Sequence, residues 1–306
     1  MSPGDYLLKL CQSATQDLWL VAPFVKAATL QRLLEGVSHD VNIQCVTRWR
    51  PEEIAMGVSD IEVWPLLKTR ANSRLWLRHD LHAKYYRADS QCLMGSANIT
   101  ATALGWTTHP NLELLIDVSP QHPALIGFEK ELLSEAIVVN DDIYQHTQLV
   151  VALLEKEKPL IVSAAEDQRP SQGVARDTWI PTLRNPEKLY LAYIGNQDRL
   201  TMGVYESAVI DLQTLSLPSG LSKTAFDAYI GYMLLQMPII SKIDAFVKKP
   251  RRFGEVSAYL KQLPCSTASD FDAKHSWQTL MRWLLYFLPK RYQHWVDSHT
   301  EIIKHT

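Results

Sequence analysis

The chain has 306 residues, of which 46% are hydrophobic and 21% charged, and a formal net charge of −2 at pH 7. That length allows one large domain or two ordinary ones with a sizeable core, and the composition is that of a soluble globular protein without low-complexity tracts. It argues against a disulfide-stapled, zinc-bound or membrane-spanning chain, because Cys11, Cys45, Cys92 and Cys265 are scattered with no CxxC pair and the most apolar window, residues 228–240, is short and broken by Gln236 and Pro238.

In chain order, the N-terminal MSPGDYLLKLCQSA has no charged segment leading into an apolar core. A secretory leader is therefore not expected, and a cytoplasmic location with reduced thiols is. Residues 4–16 read as a short helix leading into 17–25, DLWLVAPFV, an apolar run suited to a strand buried on both faces. Residues 27–36 have helical periodicity, with Leu30, Leu33 and Leu34 on one face and Gly36 placed as a cap. Residues 41–47 read as a strand, 51–55 and 60–69 as short helices, 74–78 as another strand, and 123–136 as an amphipathic helix. Strands alternating with helices imply an α/β fold with helices flanking a sheet. We expect this first domain to span residues 1–140.

Residues 141–220 form a connecting region of uncertain structure. Within it 163–177 is polar and reads as a linker, and 179–183 with 189–194 as a strand pair. Residues 221–306 read as a mainly helical domain. A long helix at 224–249 kinks at Pro238, helices follow at 253–263 and 276–288, and residues 292–303 are placed as a wing. From residue 241 onward there are 11 Lys+Arg against 6 Asp+Glu, a net of +5, whereas the remainder carries −7. Lys248, Lys249, Arg251, Arg252, Lys290 and Arg291 cluster around these helices. The pattern fits a winged-helix or helix-turn-helix module that binds nucleic acid, and equally a helical cap with a solvated basic face.

The stretch 75–118 carries the chemistry. Three short runs there place polar residues two apart: His82 with Lys84, Ser96 with Asn98, and Asn111 with Glu113. On β-strands, residues two apart project from one face. If all three runs are strands, the six side chains converge on a common pocket suited to phosphate that needs no bound metal. His82-Ala83-Lys84, four residues and then Asp89 make H-x-K-x4-D; Gly95-Ser96-Ala97-Asn98 makes G-S-x-N; Asn111-Leu112-Glu113 makes N-x-E. In these elements the first 140 residues resemble the phospholipase D superfamily. The resemblance implies a mixed sheet flanked by helices and a metal-independent phosphodiesterase without a cofactor. It makes His82 the nucleophile, with Lys84 and Asn98 on the non-bridging oxygens and Ser96 adding a hydrogen bond. Glu113 would hold a histidine ring nitrogen, and Asp89 would be structural. Tyr85, Tyr86 and Trp106 read as packing in preference to base-stacking residues, and His79 as a surface residue or one that supports the site residues from behind.

The scheme needs two imidazoles, one to attack and one to protonate the leaving oxygen. Of ten histidines only His82 has lysine two residues on. Single-motif members of the family build one site from two chains, so the resemblance implies a C2 homodimer through the catalytic domain, with the two copies of His82 facing across the axis. The alternative is a degenerate second half and a silent, nucleic-acid-binding fold. Soluble single-motif members are mostly nucleases, including restriction enzymes, so DNA is the favoured substrate. A phospholipase or transphosphatidylase is the runner-up, though no membrane association is expected.

Overall fold

The computed structural model describes residues 2–157, 176–267 and 271–306. Chain contacts divide it into two compact units, Met1–Ala152 and Leu153–Thr306.

A capping box starts the first unit. Ser2 N donates to Asp5 Oδ2 and Asp5 N to the Ser2 hydroxyl, opening α1 (Pro3–Ser13) with proline at its first turn. There follow β1 (Asp17–Val21), α2 (Ala27–Leu34), β2 (Asn42–Thr47), α3 (Pro51–Ala55), α4 (Val63–Lys68) and β3 (Ser73–Leu77). Next come β4 (Tyr85–Ala88), β5 (Gln91–Gly95), β6 (Leu115–Asp117), α5 (Phe128–Ser134), β7 (Ile137–Val138) and α6 (Asp141–Glu157), inside which the division between units falls. Among the described residues, seven strands form one mixed sheet in the order β6-β5-β4-β1-β2-β3-β7. β1, β2 and β3 are parallel neighbours, and the strands outside them run antiparallel. Leu18, Leu20 and Val21 of β1 are fully buried, as a central strand covered on both faces requires.

The expected helix at 123–136 is instead a 3-10 turn at Pro123–Leu125 and α5, separated where Gly127 adopts φ +85°. That left-handed residue ends one turn and starts the next helix, which side-chain periodicity alone does not reveal.

In the second unit the expected strand pair is absent. The backbone N–H groups of Thr182 and Leu183 and the Trp179 indole donate to the buried carboxylate of Asp211, so those groups are not available to a strand ladder. Residues 189–193 form a helix, α7 (Leu189–Tyr193), because Tyr190 and Tyr193, three apart on one face, both pack on Phe226. α8 (Met202–Leu215) follows. The expected long helix divides into α9 (Lys223–Leu235) and α10 (Pro238–Phe246), with Met237 extended and Pro238 in the first turn of the second helix. The polar stretch 163–177 lies, up to residue 175, outside the described residues.

The chain closes with β8 (Arg251–Arg252), α11 (Phe253–Leu260), α12 (Ala273–Phe287), β9 (Tyr292–Asp297) and β10 (Thr300–His305). The three strands form a sheet in the order β8-β10-β9. Helix, strand, helix, helix and a hairpin, in that order, are the topology of a winged helix. Among the described residues, no helix is long and apolar enough to cross a membrane.

Candidate active site

The six polar residues do not lie on strands as expected. His82 and Lys84 precede β4, Ser96 and Asn98 follow β5, and Asn111 and Glu113 precede β6. Because β4 pairs antiparallel with β5 and β5 with β6, with Tyr85 opposite Met94 and Gly95 opposite Leu115, all three pairs leave the sheet at the same end. It is also the end at which β1 finishes, with Val21 opposite Tyr85. The carboxyl ends of parallel strands are where open α/β sheets place their ligands, since no ladder there consumes the polar groups.

Alternation survives without strand pairing because buried anchors impose it. Leu81 (4% exposed) and Tyr85 (3%) are core residues flanking exposed His82 and half-buried Lys84. Ala97 and Ile99, both fully buried, likewise flank half-buried Asn98. The Tyr86 hydroxyl donates to Ala97 O at 2.6 Å, and Ile99 N donates to Phe24 O at 3.1 Å. Gly95 is required by close approach: a Cβ there would lie 1.8 Å from Leu114 O. In the first two motifs these anchors are apolar residues beside the motif residues, a signal present in the sequence.

Ser96 and Glu113 meet directly. The Ser96 hydroxyl donates to Glu113 Oε2 and accepts from Leu114 N at 3.1 Å, and Asn111 Nδ2 donates to Glu113 Oε1 at 3.3 Å. Within one chain, then, Ser96 and Asn111 hold the carboxylate expected to orient a histidine ring. Lys84 Nζ donates to His82 O at 2.9 Å, and Asn98 Oδ1 accepts from Phe24 N at 3.4 Å. Lys84 can exchange its carbonyl for an anionic oxygen, and the Asn98 amide N–H groups remain to do the same. An imidazole, a cation, hydroxyl and amide donors and a carboxylate thus share one end of the sheet. Among the described residues, no group of three or more His, Cys, Asp or Glu is arranged to hold a metal ion.

No family model and no curated protein matches the sequence. Solved structures do resemble it. NucT from Helicobacter pylori is similar at 14% identity and TM-score 0.33, over 42% of this chain and 83% of that one. Nuc from Salmonella typhimurium, a phospholipase D family member, is similar at 16% identity and TM-score 0.33, over 45% and 90%. Phosphatidylserine synthase from Haemophilus influenzae Rd KW20 is similar at 13% identity and TM-score 0.38, over 51% and 42%.

Asp89 stands apart from the six. It lies at φ +48° in the turn between β4 and β5, a left-handed position that Asp tolerates. Its carboxylate accepts from the backbone N–H groups of Thr15, Gln16 and Asp17 and from the Thr15 hydroxyl, at 2.8 to 3.0 Å. The Asp17 N–H foremost, then those from Thr15 and Gln16, hold its carboxyl at about 2, below the usual 3.8. A depressed folded-state pKa contributes stability that is complete above the unfolded value and lost as pH falls toward 2. Asp89→Asn, which turns an amide donor toward backbone donors, is expected to destabilise the first unit by about 1–2 kcal/mol at pH 7, water contact keeping it at the low end. The difference from wild type should shrink toward pH 2 in urea titrations.

Tyr85 and Tyr86 are buried, and Trp106 covers Gly4 and stacks under Arg32 at 3.9 Å, so all three serve packing. In the second unit, His305 N donates to Val247 O and Thr306 N to Arg291 O. The end of β10 therefore sits between the segments carrying Lys248, Lys249, Arg251 and Arg252 and those carrying Lys290 and Arg291. Two of the six have structural partners. Arg291 pairs with Asp244 at 2.6 Å, and Arg251 with Glu255 at 3.3 Å while stacking on Phe246. Lys248, Lys249, Arg252 and Lys290 are exposed. Burial first, then Arg291 and Lys248 nearby, hold the His305 imidazole below its usual pKa.

Proposed function

We propose that this protein is a metal-independent phosphodiesterase of the phospholipase D type, acting on DNA through a phosphohistidine at His82, with its active site shared by two copies of the chain. The observation that carries the proposal is the convergence of His82, Lys84, Ser96, Asn98, Asn111 and Glu113 at one end of the sheet, from three ordered motifs. An imidazole nitrogen of His82 attacks phosphorus, forming a P–N bond as the P–O bond to the leaving group breaks. The leaving oxygen takes a proton from the imidazolium of His82 in the second copy. That imidazole, now neutral, removes a proton from water, which attacks phosphorus and breaks the P–N bond. Lys84 and Asn98 neutralise the charge that builds on the non-bridging oxygens.

The need for a second copy follows from His82 being the one histidine in an H-x-K motif. A surface suited to it lies beside the site. Leu112, Leu114 and Ile116, at alternate positions into edge strand β6, are 102%, 62% and 51% exposed, while Glu113 between them serves the site. DNA is favoured over lipid by the exposed cations around β10 and the winged-helix topology of the second unit.

The test is cleavage of plasmid and single-stranded DNA in excess EDTA, with head-group release from labelled phospholipid vesicles measured in parallel. Metal-independent DNA cleavage is expected. EDTA-sensitive cleavage overturns the mechanism, head-group release with DNA untouched overturns the substrate, and salt-dependent DNA binding without cleavage would mark a silent site.

A further inference from the structure

We propose that Arg48 is a positioning residue for this reaction centre, fixing the peptide that carries His82 and, through Phe24, the backbone that holds Asn98. The proposal rests on the functional reading above.

Arg48 is the first residue beyond β2, and its side chain is 4% exposed. Its guanidinium grips Glu53 with two prongs, Nη2 to Oε1 at 2.7 Å and Nε to Oε2 at 3.3 Å. Nη1 points the other way and donates to Leu81 O at 3.4 Å. That carbonyl belongs to the peptide whose nitrogen is that of His82. The same guanidinium lies over the Phe24 ring, 5.0 Å from its centroid, and Phe24 N–H is the donor to Asn98 Oδ1. Phe24 follows β1, Arg48 follows β2 and Leu81 follows β3. One side chain thus ties together the exits of three parallel strands and touches the supports of two site residues.

Stability does not explain such a pair. Removing two charges from water costs about what their attraction returns, and apolar residues of similar volume often serve as well or better. Burial pushes the Glu53 carboxyl up although Arg48 and Arg50 pull it down, so the pair sits in a poorly hydrated place. What a guanidinium supplies and an aliphatic side chain does not is a rigid fork with donors in fixed directions. Here one direction is used on Glu53 and another on the His82 peptide. The penalty for a misdirected nucleophile is steep, since a displacement of about 1 Å can cost about 10²-fold in rate.

The experiment uses the full chain with Arg48→Met and Glu53→Gln combined, so that the Glu53 charge is not stranded and Arg50, 3.7 Å from Glu53, keeps an acceptor, and Arg48→Lys as a second variant that keeps charge without the fork. With wild-type protein active on DNA, we expect kcat to fall at least about tenfold in the double variant, with KM within about threefold and thermal stability retained. Arg48→Lys should fall in the same direction. An unchanged kcat, or a change confined to KM, overturns the proposal. If the double variant does not fold, the same criteria apply to Arg48→Lys. If wild-type protein cleaves neither DNA nor lipid, the functional reading has failed, and positioning is read from the rate of His82 carbethoxylation by diethyl pyrocarbonate. A rate changed by about twofold or more in the variants supports positioning of an exposed imidazole, and an unchanged rate overturns it.

Discussion

Replacing His82 with alanine is expected to lower the rate of DNA cleavage at least about 10³-fold, on the order of 4 kcal/mol of barrier, with little change in thermal stability. The two halves of that expectation have separate grounds. His82 is exposed, so its ring buries little apolar surface, and substitutions at such positions cost little. Its backbone is held from both sides by Leu81 and Tyr85, which the substitution leaves in place. On the proposed mechanism, what is lost is the atom that forms the bond to phosphorus and, in the second copy, the atom that protonates the leaving oxygen. Lys84→Ala and Asn98→Ala leave the nucleophile in place but remove charge neutralisation, together with the contacts to His82 O and Phe24 N, and each is expected to cost about 10²-fold. Single-turnover cleavage of 5′-labelled DNA in EDTA measures the rates. Quenching with denaturant at alkaline pH should trap uniformly labelled DNA on wild-type protein as an adduct that acid then releases, and none on His82→Ala. Cleavage by that variant at wild-type rate would exclude His82 as nucleophile.

How much of this was legible depended on which physical pattern each segment obeys. The buried central strand β1 announces itself as an apolar run, and α3 as a proline followed by acidic residues in a first turn, so both were readable. The motif residues were readable by spacing, but their structural setting was not. Polar residues two apart suggested strands, whereas anchors at Leu81, Tyr85, Ala97 and Ile99 produce the same alternation in segments beyond the sheet. Where tertiary partners take the backbone's hydrogen bonds, local pattern misleads. The segment around Trp179 has the apolar pattern of a strand but is not one, because its donors are satisfied by Asp211, distant in sequence. The single helix expected across residues 224–249 failed at Met237–Pro238 for a local reason. Proline in a first turn and proline in a kink look alike until the extended residue before it is seen. Arg48 was invisible as a site residue because its partners, Glu53, Phe24 and Leu81, come together only in the fold.

Substituting Leu114 and Ile116 together with aspartate is expected to give a folded monomer whose DNA cleavage is reduced at least about 100-fold, a barrier increase of about 2.7 kcal/mol. The two residues are 62% and 51% exposed and follow Leu112, which is wholly exposed, along the edge of the sheet. An edge strand with aliphatic side chains on its open face invites another surface, and charges placed there are an effective block to such pairing. Leu114 O also accepts from Ser96 N through the backbone, which a side-chain replacement leaves intact, so the Ser96–Glu113 contact should persist in the variant. Loss of activity would then report loss of the second imidazole and not disruption of the first. Sedimentation equilibrium at micromolar concentration gives the mass, and near-ultraviolet circular dichroism the fold. A wild-type protein that sediments as a monomer and still cleaves DNA would overturn the shared site. A variant that remains dimeric and active would move the interface to another face. Mixing His82→Ala with the Leu114→Asp, Ile116→Asp variant adds a further constraint. A shared site in which every pair needs two imidazoles and two apolar edges predicts no recovery of cleavage at any ratio, whereas a site complete within one chain predicts that neither variant alters the other.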